Sequence, residues 1–267
     1  MNIFDLLTTV DTQKINLDEQ MASGRRAMFR QLGDWGKKMA LGAIPFGAAT
    51  LSSTNAMAAH EDNVDVLNFA LLLEYLESEF YIMGLDTIVP KGTEDEKVFM
   101  QISKHEKQHV EFLQKTIKSL GGMPIDKPAF DFTAGGAFMP FGDYDQFKVL
   151  SQAFEDTGVR AYKGQAANLM DNDTLLTAAL QIHSVEARHA AKIRMMRDEF
   201  GWIYFNHRGR GMPYATQPVY KGENMSKQAG IELKTITTVD EGGFTAAFDE
   251  PLTKEEVTAI ASLFLKK

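Results

Sequence analysis

The sequence predicts an all-α protein: a four-helix bundle with a long crossover between helices 2 and 3, followed by a C-terminal extension with one short helix. Three observations predict it. Four long segments between residues 62 and 200 repeat apolar residues at three- and four-residue spacing, the period of a helix face. The links between those segments run short, long, short, which is what a bundle needs when one connection must return along its full length. The composition, 44% apolar and 24% charged over 267 residues, allows a core large enough to fold without disulfides, and there is no cysteine to make one.

The lack of cysteine also excludes thiolate metal sites, iron–sulfur clusters and cysteine nucleophiles, so any metal must be held by oxygen and nitrogen. A formal charge of −8, with no basic stripe interleaved with aromatics, argues against a nucleic-acid partner.

Residues 1–58 have the order of an export signal. Arg25, Arg26, Phe29 and Arg30 come first, then Lys37 and Lys38, then a weakly apolar run from Met39 to Leu51, then Ala56-Met57-Ala58 as a small-residue cleavage pattern. The apolar run is too short, and too rich in Gly, Ser, Thr and Pro45, to span a bilayer. The arginine pair makes the segment resemble a twin-arginine signal, which implies the twin-arginine export machinery as a partner and a periplasmic destination.

The bundle is expected over residues 59–201. Helix 1 runs from Asp62 to about Leu85, with no Gly or Pro before Gly84. Thr93 and Glu96 form a capping-box pattern that opens helix 2, and Gly121-Gly122 stops it. Residues 121–144, rich in Gly, Pro and Phe, form the crossover. Helix 3 runs from about Asp145 to Met170, and helix 4 from Asp171 or Asp173 to about Phe200. Residues 202–267 show no long periodic run until Thr253 and Glu256 cap a last helix, apolar at Val257, Ile260, Leu263 and Phe264.

The apolar stripes are interrupted by charge. Helix 4 reads Leu175, Ala179, Ile182, Glu186, His189, Ile193, Met196, Phe200, and helix 2 reads Phe99, Ile102, Glu106, His109, Leu113, Thr116, Leu120. Glu74 falls on the stripe of helix 1 and Glu155 on that of helix 3. A lone carboxylate in a bundle core costs several kcal/mol or takes up a proton, and four facing each other also repel, so cations are expected among them. In Glu-x-x-His the two side chains share one helix face and reach the same point. With 18 Glu and 6 His, composition alone gives about 0.4 such pairs, and this chain has two, Glu106/His109 and Glu186/His189. An internal repeat relates them: Glu74 precedes Glu106 by 32 residues and Glu155 precedes Glu186 by 31, Tyr81 and Tyr162 each follow a lone Glu by seven, and Ile102 and Ile182 stand in register.

These two Glu-x-x-His helices and two single-Glu helices resemble the ferritin-like superfamily. The runs Leu67–Tyr81 (LNFALLLEYLESEFY) and Phe154–Ala166 (FEDTGVRAYKGQA) are similar to an exported bacterial ferritin-like family related to plant desiccation-related proteins. The resemblance implies a metal site at Glu74, Glu106, His109, Glu155, Glu186 and His189, holding two iron ions or, alternatively, manganese. It implies oxidation of ferrous iron or consumption of dioxygen or peroxide, with peroxide dismutation of the manganese-catalase kind as a further possibility. A non-enzymatic envelope protein with a vestigial site is the alternative from another class; a storage cage is less compatible with the long tail, and homo-oligomers stay open.

Around the six, Glu77 is the substitute for Glu74 one turn away. Tyr81 and Tyr162 are expected to pack more often than to bond the ligands, and His105 and His183 to be exposed or locally capping more often than to support the ligands from behind. His60 and His207 belong to no constellation. Gly158 is expected to allow close helix approach.

Overall fold

Caps set the ends of the helices that carry the charged stripes. The computed structural model describes residues 63–266; the export-signal segment and His60 lie outside them. Helix α1 spans Asn63–Thr87, α2 Glu94–Ser119, α3 Tyr144–Gln165 and α4 Asp173–Met196. Thr93 accepts the Glu96 amide at 3.1 Å at the start of α2, where Glu94, Asp95 and Glu96 meet the positive end of the helix dipole. Only half of the expected capping box forms there, because the Glu96 carboxylate accepts from the Gly92 amide instead. Asp143 caps α3 through the Asp145 and Gln146 amides, and Asn172 caps α4 through Leu175.

Two helices end earlier than their apolar period suggests. After Gln165 the chain tightens into a 3-10 turn, Ala166–Leu169, so α3 stops short of Met170. Helix α4 stops at Met196, not Phe200: Arg197 caps it and Asp198 turns left-handed, with φ of 57°. Phe200 is left exposed and stacks on Trp202 at 5.2 Å between ring centroids.

α1 pairs with α2 and α3 with α4, and α1 also packs along α3. Gly84 lets α1 and α3 pack closely, since a Cβ there would lie 2.1 Å from the Phe147 ring. Phe147 stacks on Phe80 at 4.8 Å, and Phe80 is met edge-on by Phe154. The crossover adds Phe132 to this cluster and the C-terminal end adds Phe264. Asn68 of α1 clamps the crossover, donating to the Met123 carbonyl and accepting from the Ile125 amide. Farther along, Phe130 bridges antiparallel to Leu265, with hydrogen bonds from Asp131 to Phe264 and from Lys266 to Ala129.

The C-terminal segment has more structure than the single expected helix. A hairpin pairs β1 (Lys227–Gln228) with β2 (Ile231–Glu232) across Ala229-Gly230, both at positive φ, the conformation a tight hairpin turn requires. One helical turn follows, α5 (Glu241–Thr245), then α6 (Lys254–Ala261), which has the full Thr253/Glu256 capping box. Arg160 of α3, fully buried, fixes the segment to the bundle. It donates to the carbonyls of Glu250, Val219 and Lys221 and pairs with Glu223 at 2.8 Å. Beside it Arg194 of α4 makes a two-pronged contact with Asp156, which also accepts from the Tyr220 hydroxyl. Among the described residues no helix is long and apolar enough to cross a membrane.

Candidate metal centre

The four stripes converge midway along the bundle. Glu74, Glu106, Glu155 and Glu186, one from each helix, are each 0% exposed, and His109 and His189 join them from α2 and α4. The six fall into two overlapping sets, Glu74/Glu106/His109/Glu186 and Glu106/Glu155/Glu186/His189, each with its ligand atoms within 4.8 Å of one another. Glu106 and Glu186 belong to both. Nδ1 of His109 lies 3.0 Å from Oε2 of Glu106 and 3.2 Å from Oε1 of Glu186. Nδ1 of His189 lies 2.9 Å from the other oxygen of Glu106 and 3.7 Å from the other oxygen of Glu186. Each of these glutamates thus spans the two histidine positions. Glu74 lies 3.2 Å from His109 Nδ1, and Glu155 3.2 Å from His189 Nδ1, so each serves one position.

This donor set is compatible with bound metal ions. Oε1 of Glu106 and both oxygens of Glu186 are buried with no hydrogen bond, lying near imidazole nitrogens but off the hydrogen-bonding direction. Orphaned carboxylate oxygens in a core carry a large desolvation cost that a bound cation offsets. Carboxylate and imidazole suit iron, manganese and zinc alike, and nothing soft is present. The field of the cluster is cationophilic: burial alone would lower the His109 imidazole, yet Glu106, Glu186 and Glu74 push it up to about 12. His189 is likewise raised, by Glu155, Glu106 and Glu186 against its burial. Glu186 is drawn down to about 2 by the two imidazoles despite burial, whereas burial and the charge of Glu186 push Glu106 up.

The surrounding side chains differ in part from expectation. Tyr81 donates to Oε1 of Glu155 at 2.5 Å and Tyr162 to Oε1 of Glu74, so both tyrosines bond the cluster as well as pack. Their equal spacing from the lone glutamates is the sequence signal for that role. His105 is neither fully exposed nor a local cap: its Nδ1 lies 2.9 Å from Nε2 of His189, and the rings stack. No sequence signal points there, because the partner is 84 residues away. His183 is partly buried, and its Nε2 has no hydrogen-bond partner among the described residues; the ring of His207 packs against Tyr204 and Phe205.

Glu77 does not take the place of Glu74 but joins it as a fifth buried carboxyl. Burial first, then the charges of Glu186, Glu155, Glu74 and Glu106, push it well above the carboxylate range. Gly158 makes room for it, since a Cβ there would lie 3.2 Å from Oε1 of Glu77 and 3.5 Å from Oε2 of Glu186.

The cluster opens toward solvent on the side between α2 and α4. Between α2 and α4 a groove of about 620 Å³ runs in from solvent past Gln101, His105 and Val185 to the rings of His109 and His189. On the α1–α3 side Tyr81 and Phe80 are fully buried and Tyr162 nearly so.

The family model for a ferritin-like domain matches residues 62–199, which includes all four bundle helices and every residue of the cluster. Comparison with curated proteins gives no match. With half of its length in that match, and with four helices gathering a buried carboxylate–histidine cluster compatible with a metal site, this chain belongs to the ferritin-like domain family.

Proposed function

We propose that the cluster holds two divalent metal ions, iron or alternatively manganese, and that the protein uses them to oxidise ferrous iron or to consume dioxygen or peroxide. The observation that carries this reading is the pair Glu106 and Glu186, each with its two oxygens directed at different histidines and three of the four without a hydrogen bond. Bound iron or manganese supplies the one-electron redox chemistry that carboxylates and imidazoles lack.

The chain's own residues do the rest. Glu106 and Glu186 would be shared by the two positions, Glu74 with His109 would complete one, and Glu155 with His189 would complete the other. Tyr81 and Tyr162 fix the carboxylates of Glu155 and Glu74 and thereby the direction of their free oxygens. Glu77 holds a proton at its carboxyl beside Glu186, within the cluster. The α2–α4 groove admits small molecules from solvent, while the aromatic wall of α1 and α3 keeps water from the opposite side.

Export belongs to the same proposal. The twin-arginine pattern in residues 1–58 supports delivery to the periplasm by a route that carries folded proteins, so metal can be loaded beforehand.

Metal content of protein purified from its native compartment tests the reading, with the Glu106→Ala/Glu186→Ala double variant as control. Close to two iron or manganese ions per chain, absent from the variant, is the expected result. Folded protein that stays metal-free after ferrous and manganous reconstitution would overturn it and favour a purely structural envelope role.

A further inference from the structure

The repeat that relates the two halves of the bundle breaks at a position lining the groove beside the cluster, as it also does at Glu77 and Gly158, which follow Glu74 and Glu155 by three. Glu106 corresponds to Glu186 and His109 to His189, so the residue before each glutamate also corresponds: His105 in α2 and Val185 in α4. Both line the α2–α4 groove. His105 reaches across it, placing Nδ1 2.9 Å from Nε2 of His189 with the ring centroids 5.2 Å apart and the ring planes within 14° of each other. The equivalent reach from Val185 to His109 is chemically impossible, because an isopropyl group neither donates nor accepts. Among the described residues none bonds Nε2 of His109, which faces the groove.

We infer that His105 is a positioning residue for His189, and that its replacement by Val185 in the other half makes the two metal positions unequal, the His189 position binding more tightly than the His109 position. This rests on the metal-site reading above. When Nδ1 of an imidazole is given to a metal, the ring's proton sits on Nε2. Nε2–H of His189 then donates to Nδ1 of His105, whose own proton sits on Nε2 and faces the Gln101 amide 2.5 Å away. Because the oxygen and nitrogen of an amide exchange places by rotation, Gln101 can present an acceptor there. The chain Gln101–His105–His189 fixes both tautomer and ring angle, so Nδ1 is aimed at Glu106, Glu155 and Glu186 before the metal arrives. His109 is held through Nδ1 alone, by Glu74 and Glu106, the same carboxylates that the metal would engage.

The inequality can be read with Co²⁺ as the probe, titrated anaerobically into the full chain and followed by its d–d absorption, with thermal melting to confirm that each variant is folded. The wild type is expected to bind two Co²⁺ per chain in two distinguishable steps. His105→Phe keeps a ring in place and removes the acceptor; it should weaken the tighter step roughly 10- to 100-fold, leave the other unchanged, and alter the absorption band of the first ion. His105→Asn places Oδ1 where Nδ1 was and should restore both affinity and band. Val185→His should tighten the weaker step. Two equal steps in the wild type, an unaltered titration of His105→Phe, or a His105→Asn variant no better than His105→Phe each overturns this inference while leaving the metal site standing. Wild-type protein that binds no Co²⁺ overturns the metal reading and this inference together.

Discussion

Tyr81 on α1 donates its hydroxyl hydrogen to Oε1 of Glu155 on α3 at 2.5 Å, and Tyr162 on α3 returns the arrangement by donating to Glu74 on α1. Each tyrosine lies two turns beyond the glutamate of its own helix and bonds the glutamate of the other. Burial and the adjoining carboxylate raise both phenols, so at neutral pH they remain donors. Tyr81→Phe keeps the ring and leaves a buried oxygen of Glu155 unsatisfied. The expected cost is about 1–3 kcal/mol in urea unfolding, with metal affinity falling roughly 10- to 100-fold. A variant equal to wild type in both measurements would show that the hydroxyl does not orient Glu155.

Arg160 is the second polar group whose loss should be felt well beyond its own position. It is fully buried and holds three carbonyls and Glu223 of the C-terminal segment. Arg160→Met preserves much of the volume but strands the Glu223 carboxyl and three acceptors. Breaking a buried pair from one side costs about 3–5 kcal/mol. Limited proteolysis should then cut within residues 213–250 while the helices survive. Uniform protection of that segment in the variant would contradict the role given to Arg160.

The bundle and the six residues that cluster at its centre were legible because both leave periodic traces. Glu106 and His109 interrupt an otherwise apolar stripe, and a charge in a stripe is visible without knowing what faces it. Helix ends were less legible, since the stripe through Phe200 continues past the point where Asp198 turns left-handed and ends α4. His105 was legible only as a weaker alternative: its place one turn before His109 allows a supporting role, but its contact is with His189 across the groove, and the residue before a stripe position normally faces solvent. Arg160 and Asp156 were hidden for a related reason. They lie on α3 faces that the C-terminal segment covers, and the folding of that irregular segment is set by hydrogen bonds to those side chains instead of by a period of its own.

Metal loading should depend on pH in a direction set by the histidines. The carboxylates push the His109 imidazole up to about 12, so near neutrality its ring carries two protons. A metal takes the Nδ1 lone pair and displaces one of them. Apparent affinity for Mn²⁺ should therefore rise from pH 6 to pH 8, and calorimetric heats should vary with the ionisation enthalpy of the buffer. Affinity that is flat in pH, with heats independent of buffer, would mean that no proton leaves.

Glu223 supplies a pH signature away from the cluster. Burial raises its carboxyl, the Arg160 guanidinium and the Glu250 amide pull it back, and it settles at about 7. An acid held above its unfolded value of about 4.5 binds more proton in the folded chain across that interval. Its contribution to stability is therefore complete below the unfolded value and declines as pH rises through about 7. Glu223→Gln keeps the shape and cannot ionise. Between pH 5 and pH 8 the wild type should lose more thermal stability than the variant, with the two curves converging at the acid end. Parallel melting curves across that range would show that Glu223 is already ionised at pH 5, with Arg160 outweighing burial.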